Sequence, residues 1–256
     1  MPTVLAALAD SKGALLFTSV VIGLICGSFV TAMSYRLPRG EDFVRGRSAC
    51  PACGTSLQVK DLFPLVSWVF QRGRCRYCGA RIPVRYPAIE AACAALFVAA
   101  VVAAPPDALM RLLLVWLLAS ALLALSVIDL EFKRLPNSLV FVAFVLVALI
   151  HLYDGGSPKN VLIFALTAGA AAYGLRMAGF LVLGKPGLGW GDVKLAAAVG
   201  GGLGQGEWFI FTSVLAVGLL VLVGAAVLRQ RSPPVSLASQ LAIGPAICIA
   251  AYAVSL

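Results

Sequence analysis

Charge is scarce in this chain. Only 12% of its 256 residues are charged, against about 25% in a typical soluble domain. Hydrophobic residues make up 61%, and the mean hydropathy is +0.97. This balance excludes a soluble globular protein and a disordered or collagenous one, and leaves a polytopic membrane protein. Histidine is scarcer still: His151 stands alone. It falls on the outer side in the topology argued below, so no Ser–His or Cys–His arrangement is available on the inner side, and no HExxH metalloprotease motif occurs. Acids number eleven, and several sit in loops: Glu41, Asp42, Asp61, Asp107 and Asp154. The seven cysteines are few for the length. Four of them form two CxxC pairs, which favours a metal site over a disulfide framework.

Long apolar runs are what the sequence has in quantity. The first, from about Ala14 to Met33, carries little positive charge before it and much after it, and reads as an uncleaved first span rather than a signal peptide. Gly23 and Gly27 form a GxxxG inside it, a pattern that allows close helix packing. Residues 35–87 form the one substantial polar segment, with ten lysines and arginines against Glu41, Asp42 and Asp61. Apolar runs follow near 88–104, 111–129, 138–152, 161–183, 192–204, 208–228 and 236–255, several of them shorter than the ~20 residues of an ideal span. The glycine-rich tail Gly200-Gly-Gly202-Leu-Gly204 is a poor helix interior. The expected fold is all-α, with about eight transmembrane helices and a small cytoplasmic zinc-ribbon-like domain between helices 1 and 2. Its parts are 1–34 (first span), 35–87 (cysteine domain) and 88–256 (membrane-embedded domain).

A net charge of +9 could suggest nucleic acid, but its distribution is that of membrane topology. With 35–87 cytoplasmic, the inner loops are 35–87, 129–137, 176–194 and 229–235. Of the twenty lysines and arginines, only Lys12, Arg111 and Lys159 then fall outside, as the positive-inside rule requires. The lipid bilayer is the expected partner, and nucleic acid is not. Both termini lie outside in this arrangement, and Asp129 and Asp192 both lie at the cytoplasmic face.

Two constellations carry chemistry. Cys50-Pro-Ala-Cys53 and Cys75-Arg-Tyr-Cys78 each offer two thiolates to one ion, and together they complete a tetrahedral site suited to zinc. Gly54 and Gly79 follow the second cysteine of each pair, as a tight ligand knuckle favours. Four thiolates close the shell, so the role of the metal is structural. Two disulfides or a redox CxxC are the competing readings. Cys26, Cys93 and Cys248 lie in apolar runs and behave as small hydrophobes. The second constellation is Asp129 with Asp192. An ionisable group at a span boundary is a functional candidate. Asp129 ends its span, where the helix dipole disfavours an anion. Asp192 sits at an N-cap position, where the dipole favours one. One acid then holds a proton while the other is ionised, as an aspartic protease needs. Asp192 is expected to be the base and Asp129 the acid. Lys194 can assist Asp192 or snorkel to the headgroups. Asn137 or Ser138 can cap the helix after Leu135-Pro136, and Gly244-Pro245 should kink the last span. Glu90 reads as an interfacial charge at a helix start.

These residues resemble the type IV prepilin peptidases, the bifunctional leader peptidases and N-methyltransferases of bacteria. The resemblance covers nearly the whole chain: Gly27-Ser-Phe29 with Arg36-Leu-Pro38; Cys50-Pro-Ala-Cys53; Gly73-Arg-Cys75-Arg-Tyr-Cys78; Arg85-Tyr-Pro87-Ala-Ile-Glu90; Asp129 with Pro136-Asn137; Gly189-Trp-Gly-Asp192-Val-Lys194, similar to the GxGD motif of intramembrane aspartic proteases; and Gly244-Pro245. It implies Asp129 and Asp192 as catalytic residues. Its implied substrates are prepilins and pseudopilins of type IV pilus and type II secretion systems, cut at the cytoplasmic face of the bacterial inner membrane. It also implies methylation of the new N-terminus with S-adenosylmethionine. A proton- or ion-coupled transporter using the two acids, or a membrane anchor for a zinc-ribbon interaction module, are the alternative readings.

Overall fold

The structure, a computed structural model, describes residues 12–43, 47–103, 109–183, 188–202 and 244–256. Helices dominate these residues, and two isolated β-bridges are the extended pairings among them. Contacts divide the chain into two units, Met1–Ala124 with Leu256, and Leu125–Ser255.

The first unit holds α1 (Lys12–Arg36), the short α2 (Val66–Phe70), α3 (Arg85–Ala103) and the opening of α4 (Leu109–Phe132). The GxxxG works as its spacing suggests. A Cβ built at Gly23 would lie 2.6 Å from Ala94 Cα, and one at Gly27 2.6 Å from Glu90 Cα. Backbone meets backbone there, so α1 and α3 touch along a seam that any side chain would open. In lipid, where apolar burial gives helices little reason to associate, such close packing supplies the attraction. Arg85 Nη2 donates to Ser34 Oγ at 2.8 Å, joining the end of α1 to the start of α3. Phe97 and Trp116 stack at 4.8 Å, and Trp116 Nε1 donates to the Phe97 carbonyl at 3.1 Å, satisfying the indole in an apolar site.

The second unit holds the end of α4, α5 (Asn137–Tyr153), α6 (Pro158–Leu183), α7 (Trp190–Gly200) and α8 (Gly244–Ser255). Leu125, Ile128, Ala143, Ala168, Leu195 and Ala196 are among its fully buried side chains. Small residues dominate the α6–α7 contact, where Ala168 meets Gly200. The run expected at 192–204 is helical only to Gly200, with Gly201 as its C-cap, so the glycines end the helix.

Among the described residues, four helices are long and apolar enough to cross a membrane: Lys12–Arg39, Arg85–Ala103, Leu109–Phe132 and Pro158–Phe180. Asn137–Tyr153 and Gly244–Ala253 are shorter apolar helices. The chain is a multi-pass helical membrane protein, and the count of eight stands as an expectation. The run at 208–228 lies outside the described residues, as does the backbone before Gly244 that a kink would involve.

Candidate active site and metal centre

The backbone of the second unit brings its two acids together. Asp129 occupies the last turn of α4, is 7% exposed, and leaves Oδ2 buried without a hydrogen-bond partner. Asp192 lies in the first turn of α7. The two carboxylates are near enough for the charge of one to act on the other. Lys133 supplies a positive charge near Asp129, and the backbone amide of Gly244, at the start of α8, reaches the same carboxylate.

The local placement of Asp192 departs from expectation in one respect. Gly189 is the N-cap, and Asp192 is the third helical residue, its Oδ2 accepting the Gly189 N–H at 3.1 Å. The carboxylate still faces the positive end of the helix and satisfies one of its free amides. Neither Asn137 nor Ser138 caps α5. Pro136 holds the cap position with φ −62° and has no polar side chain to bond with, and Asn137, the first helical residue, turns its Oδ1 to accept from Lys194 Nζ at 3.1 Å. Lys194 is thus tied to the 135–137 turn.

Further contacts hold the stretch around Asp192. Arg176 donates from Nη1 to the Leu188 carbonyl and lies 4.7 Å over the Trp190 ring, with Tyr173 on the same indole at 5.8 Å. Leu135 covers Gly191, where a Cβ would lie 3.1 Å from its Cδ1. Cys248, assigned no role from the sequence, feels the charge of both acids and hydrogen-bonds Ser126. Its one available signal was spacing: it lies one helical turn after Gly244. The contacts of Arg176, Tyr173 and Leu135 are tertiary and left no mark in the sequence pattern.

The four cysteines of the first unit converge. Their sulfurs lie within 4.8 Å of one another, and Cys50 and Cys78 are 3.9 Å apart. All four are free thiols. A tetrahedral zinc with Zn–S bonds near 2.3 Å would set sulfurs about 3.8 Å apart, so this donor set fits the ion. The two halves repeat one design. Cys50 N–H bonds Thr55 O and Gly54 N–H bonds Cys50 O; Cys75 N–H bonds Ala80 O and Gly79 N–H bonds Cys75 O. Gly54 and Gly79 have φ of +69° and +73°, the left-handed turn each knuckle needs. Hydrogen bonds with Thr55, hydroxyl first and backbone next, bring the Cys53 thiol down to about 6, so it is ready as a thiolate ligand at neutral pH.

Asp61, grouped with the loop acids in the sequence, is buried behind these knuckles. It accepts from Gln58 N–H at 3.1 Å, Gln71 Nε2 at 3.3 Å and Tyr77 OH at 3.0 Å, and pairs with Arg76 Nε at 3.0 Å. The available signal was its position as the sole acid between the CxxC pairs. Glu90, expected as an interfacial charge at a helix start, is buried as well. Its Oε2 accepts the Leu65 N–H at 2.8 Å, which satisfies it inside the α1–α3 seam.

Fold and site together define a multi-pass membrane protein with a paired-carboxylate centre and a four-thiol metal knuckle. Residues 21–104 match the bacterial peptidase A24 N-terminal domain, and residues 116–230 match the type IV leader peptidase family. A prepilin leader peptidase/N-methyltransferase of Pseudomonas putida is 31% identical over 91% of this chain and 88% of its own length. Proteins of the same name from Aeromonas hydrophila and Bacillus subtilis (strain 168) are 37% and 34% identical, covering 77% and 72% of this chain and 69% and 72% of their own. No solved structure matches the chain. The chain belongs to the type IV leader peptidase family.

Proposed function

We propose that the protein is a prepilin leader peptidase that works by a two-aspartate mechanism at the cytoplasmic face of the bacterial inner membrane. The pairing of Asp129 and Asp192 within one helical unit carries this reading. Two close carboxylates resist ionising together and share a proton. Asp192, at the favourable end of α7, takes a proton from water as the water oxygen attacks the scissile carbonyl carbon. Asp129, protonated, donates to the carbonyl oxygen. The tetrahedral intermediate then collapses, its C–N bond breaks, and a carboxyl proton passes to the leaving amine. The residues just before Asp192 are held from α6 by Arg176 and Tyr173 and from the other side by Leu135, which fixes the base without contacting the reaction.

The substrates in this reading are prepilins and pseudopilins, whose own apolar helix stays in the bilayer while the leader reaches the acids. Zinc at Cys50, Cys53, Cys75 and Cys78 supplies folding energy to a segment with little core of its own. Regions 1–34, 35–87 and 88–256 are assigned as first span, metal domain and peptidase domain. The second half of the proposal, methyl transfer from S-adenosylmethionine to the new N-terminus, is supported by the names of the relatives; no residue is assigned to it, since Glu90 is committed to Leu65.

The test is co-expression with a prepilin, followed by mass measurement of the pilin. Asp129→Asn and Asp192→Asn are each expected to slow leader removal about 10²–10⁴-fold, the range for loss of a general acid or base. Undiminished cleavage in both variants would rule out the mechanism, and a missing methyl on wild-type product would rule out the second half.

A further inference from the structure

One face of the extramembrane segment is apolar where water would demand polarity. Val59, Leu62, Phe63, Val66, Val69 and Phe70 are all exposed, Val59 at 77% and Phe70 at 82%. They lie on the short turn Val59–Asp61, on α2 and on the bend that joins the two. The opposite side is committed inward. Asp61 is hydrogen-bonded as described, and Trp68 Nε1 donates to the Ile82 carbonyl at 3.2 Å. Six large exposed apolar side chains within twelve residues mark an interaction site.

Two observations identify what covers it. The first is depth. The segment leaves α1 and re-enters α3, both long and apolar enough to cross a membrane, and their ends are joined by Arg85 and Ser34. The Leu65 N–H, at the start of α2, bonds Glu90. Glu90 lies five residues beyond Arg85 in α3, about 7 Å along the helix at ~1.5 Å per residue. That bond pins the start of α2 beside the second turn of α3, near the end of a helix long and apolar enough to cross a membrane. The second is charge. From Val59 to Ile89 the sole acid is Asp61, which is buried and paired with Arg76. Lys60, Arg72 and Arg74 are exposed. Within Val59–Ile89 the exposed charges are therefore cations, complementary to anionic headgroups.

We propose that Val59–Phe70 is an interfacial element seated in the headgroup layer of an anionic bilayer, with its six apolar side chains at the acyl boundary. The inference uses the first unit alone and is independent of prepilin cleavage. It is tested on the full chain in nanodiscs, with benzoylphenylalanine replacing Phe63, Phe70 or, as control, the exposed Ala52 on the first knuckle. After irradiation, intact mass should reveal lipid adducts at 63 and 70 at roughly five times the control level or more, a clear separation given lipid contact at one site and water at the other. The yield should rise as phosphatidylglycerol replaces phosphatidylcholine. Equal adducts at all three positions, an adduct with the mass of a second copy of the chain, or a yield indifferent to lipid charge would overturn it. Hydrogen exchange of the unsubstituted protein gives a second reading that no folding defect can confuse. Amides of 59–70 should exchange more slowly in anionic than in neutral nanodiscs, and unchanged exchange would also overturn the proposal.

Discussion

A Cβ added at Gly244 would lie 2.7 Å from Asp129 Oδ2 and 3.1 Å from its Cγ. No carbon sits that close to a carboxylate, so Gly244→Ala must turn the Asp129 side chain or push α8 away. Either change moves the acid relative to Asp192, and misplacement by about 1 Å can cost ~10²-fold in rate. Gly244→Ala is therefore expected to lower kcat of leader cleavage about 100-fold with little change in KM. Kinetics on a purified prepilin peptide would check it; unchanged kcat, or a loss confined to KM, would mean that Gly244 does not set the geometry of the acid. At this scale the sequence carried much of the site. The two acids stood out because charge is rare in apolar runs, and loop charge led to the expectation of one shared face. What it hid were contacts made across the fold: Gly244 against Asp129, Leu135 over Gly191, and Arg176 on the Leu188 carbonyl. Asn137 shows the reason. Its residue type suits a helix cap, but the helix already begins at Asn137, after Pro136, and the side chain instead accepts from Lys194, 57 residues away.

Helices inherit their legibility from length. Lys12–Arg36, Arg85–Ala103, Leu109–Phe132 and Pro158–Leu183 each follow an apolar run seen in the sequence, extended by a few polar residues at the ends. Asn137–Tyr153, with 17 residues, spans about 25 Å at 1.5 Å per residue, short of a ~30 Å hydrocarbon core. A window tuned to long spans passes over such an element. The α1–α3 seam makes a sharper statement. Because Gly27 meets the backbone of Glu90 rather than a flexible side chain, Gly27→Ala forces the helices apart. The expected destabilisation is about 1–3 kcal/mol, the usual cost of overpacking, seen as a lower Tm in detergent; the same substitution at Gly54 would act through its positive φ instead. A Tm equal to wild type for Gly27→Ala would mean that the seam is not closed in solution. The knuckles are held by a different force. Zinc in small domains contributes about 10–16 kcal/mol of apparent binding free energy, so its removal should free the backbone of residues 48–82. Chelation, Cys53→Ser or acidification, since protons compete for the thiolates, should each release zinc and speed hydrogen exchange there. Helical circular dichroism should persist, because the spans do not depend on the metal. Exchange in 48–82 that ignores chelation would remove zinc as a structural element.

At the scale of the molecule the question is parity. Between Asp129 and Asp192 the chain runs through α5 and α6 and back. Two crossings return it to the face it left, and one crossing would strand the acids on opposite sides. Acids that act on each other fit an even count, and α5, a shorter apolar helix of 17 residues, is then expected to cross together with α6. The charges agree: Lys133 and Arg134 follow Asp129 directly, Lys194 follows Asp192, and the turn Asp154–Lys159 between α5 and α6 carries little positive charge. The positive-inside rule leads to the expectation that 129–137, 176–194 and the cysteine segment 35–87 lie on the cytoplasmic side, and Ser157 outside. Cysteines introduced at Ser157, Lys133 and Ser56, each flagged by an impermeant maleimide, decide this directly. In intact spheroplasts Ser157→Cys is expected to label and the other two are not; in inverted vesicles the pattern should reverse. Residues 133 and 157 labelling from one side would make α5 a re-entrant element, break the parity, and with it the case that one membrane face presents both acids to a substrate leader.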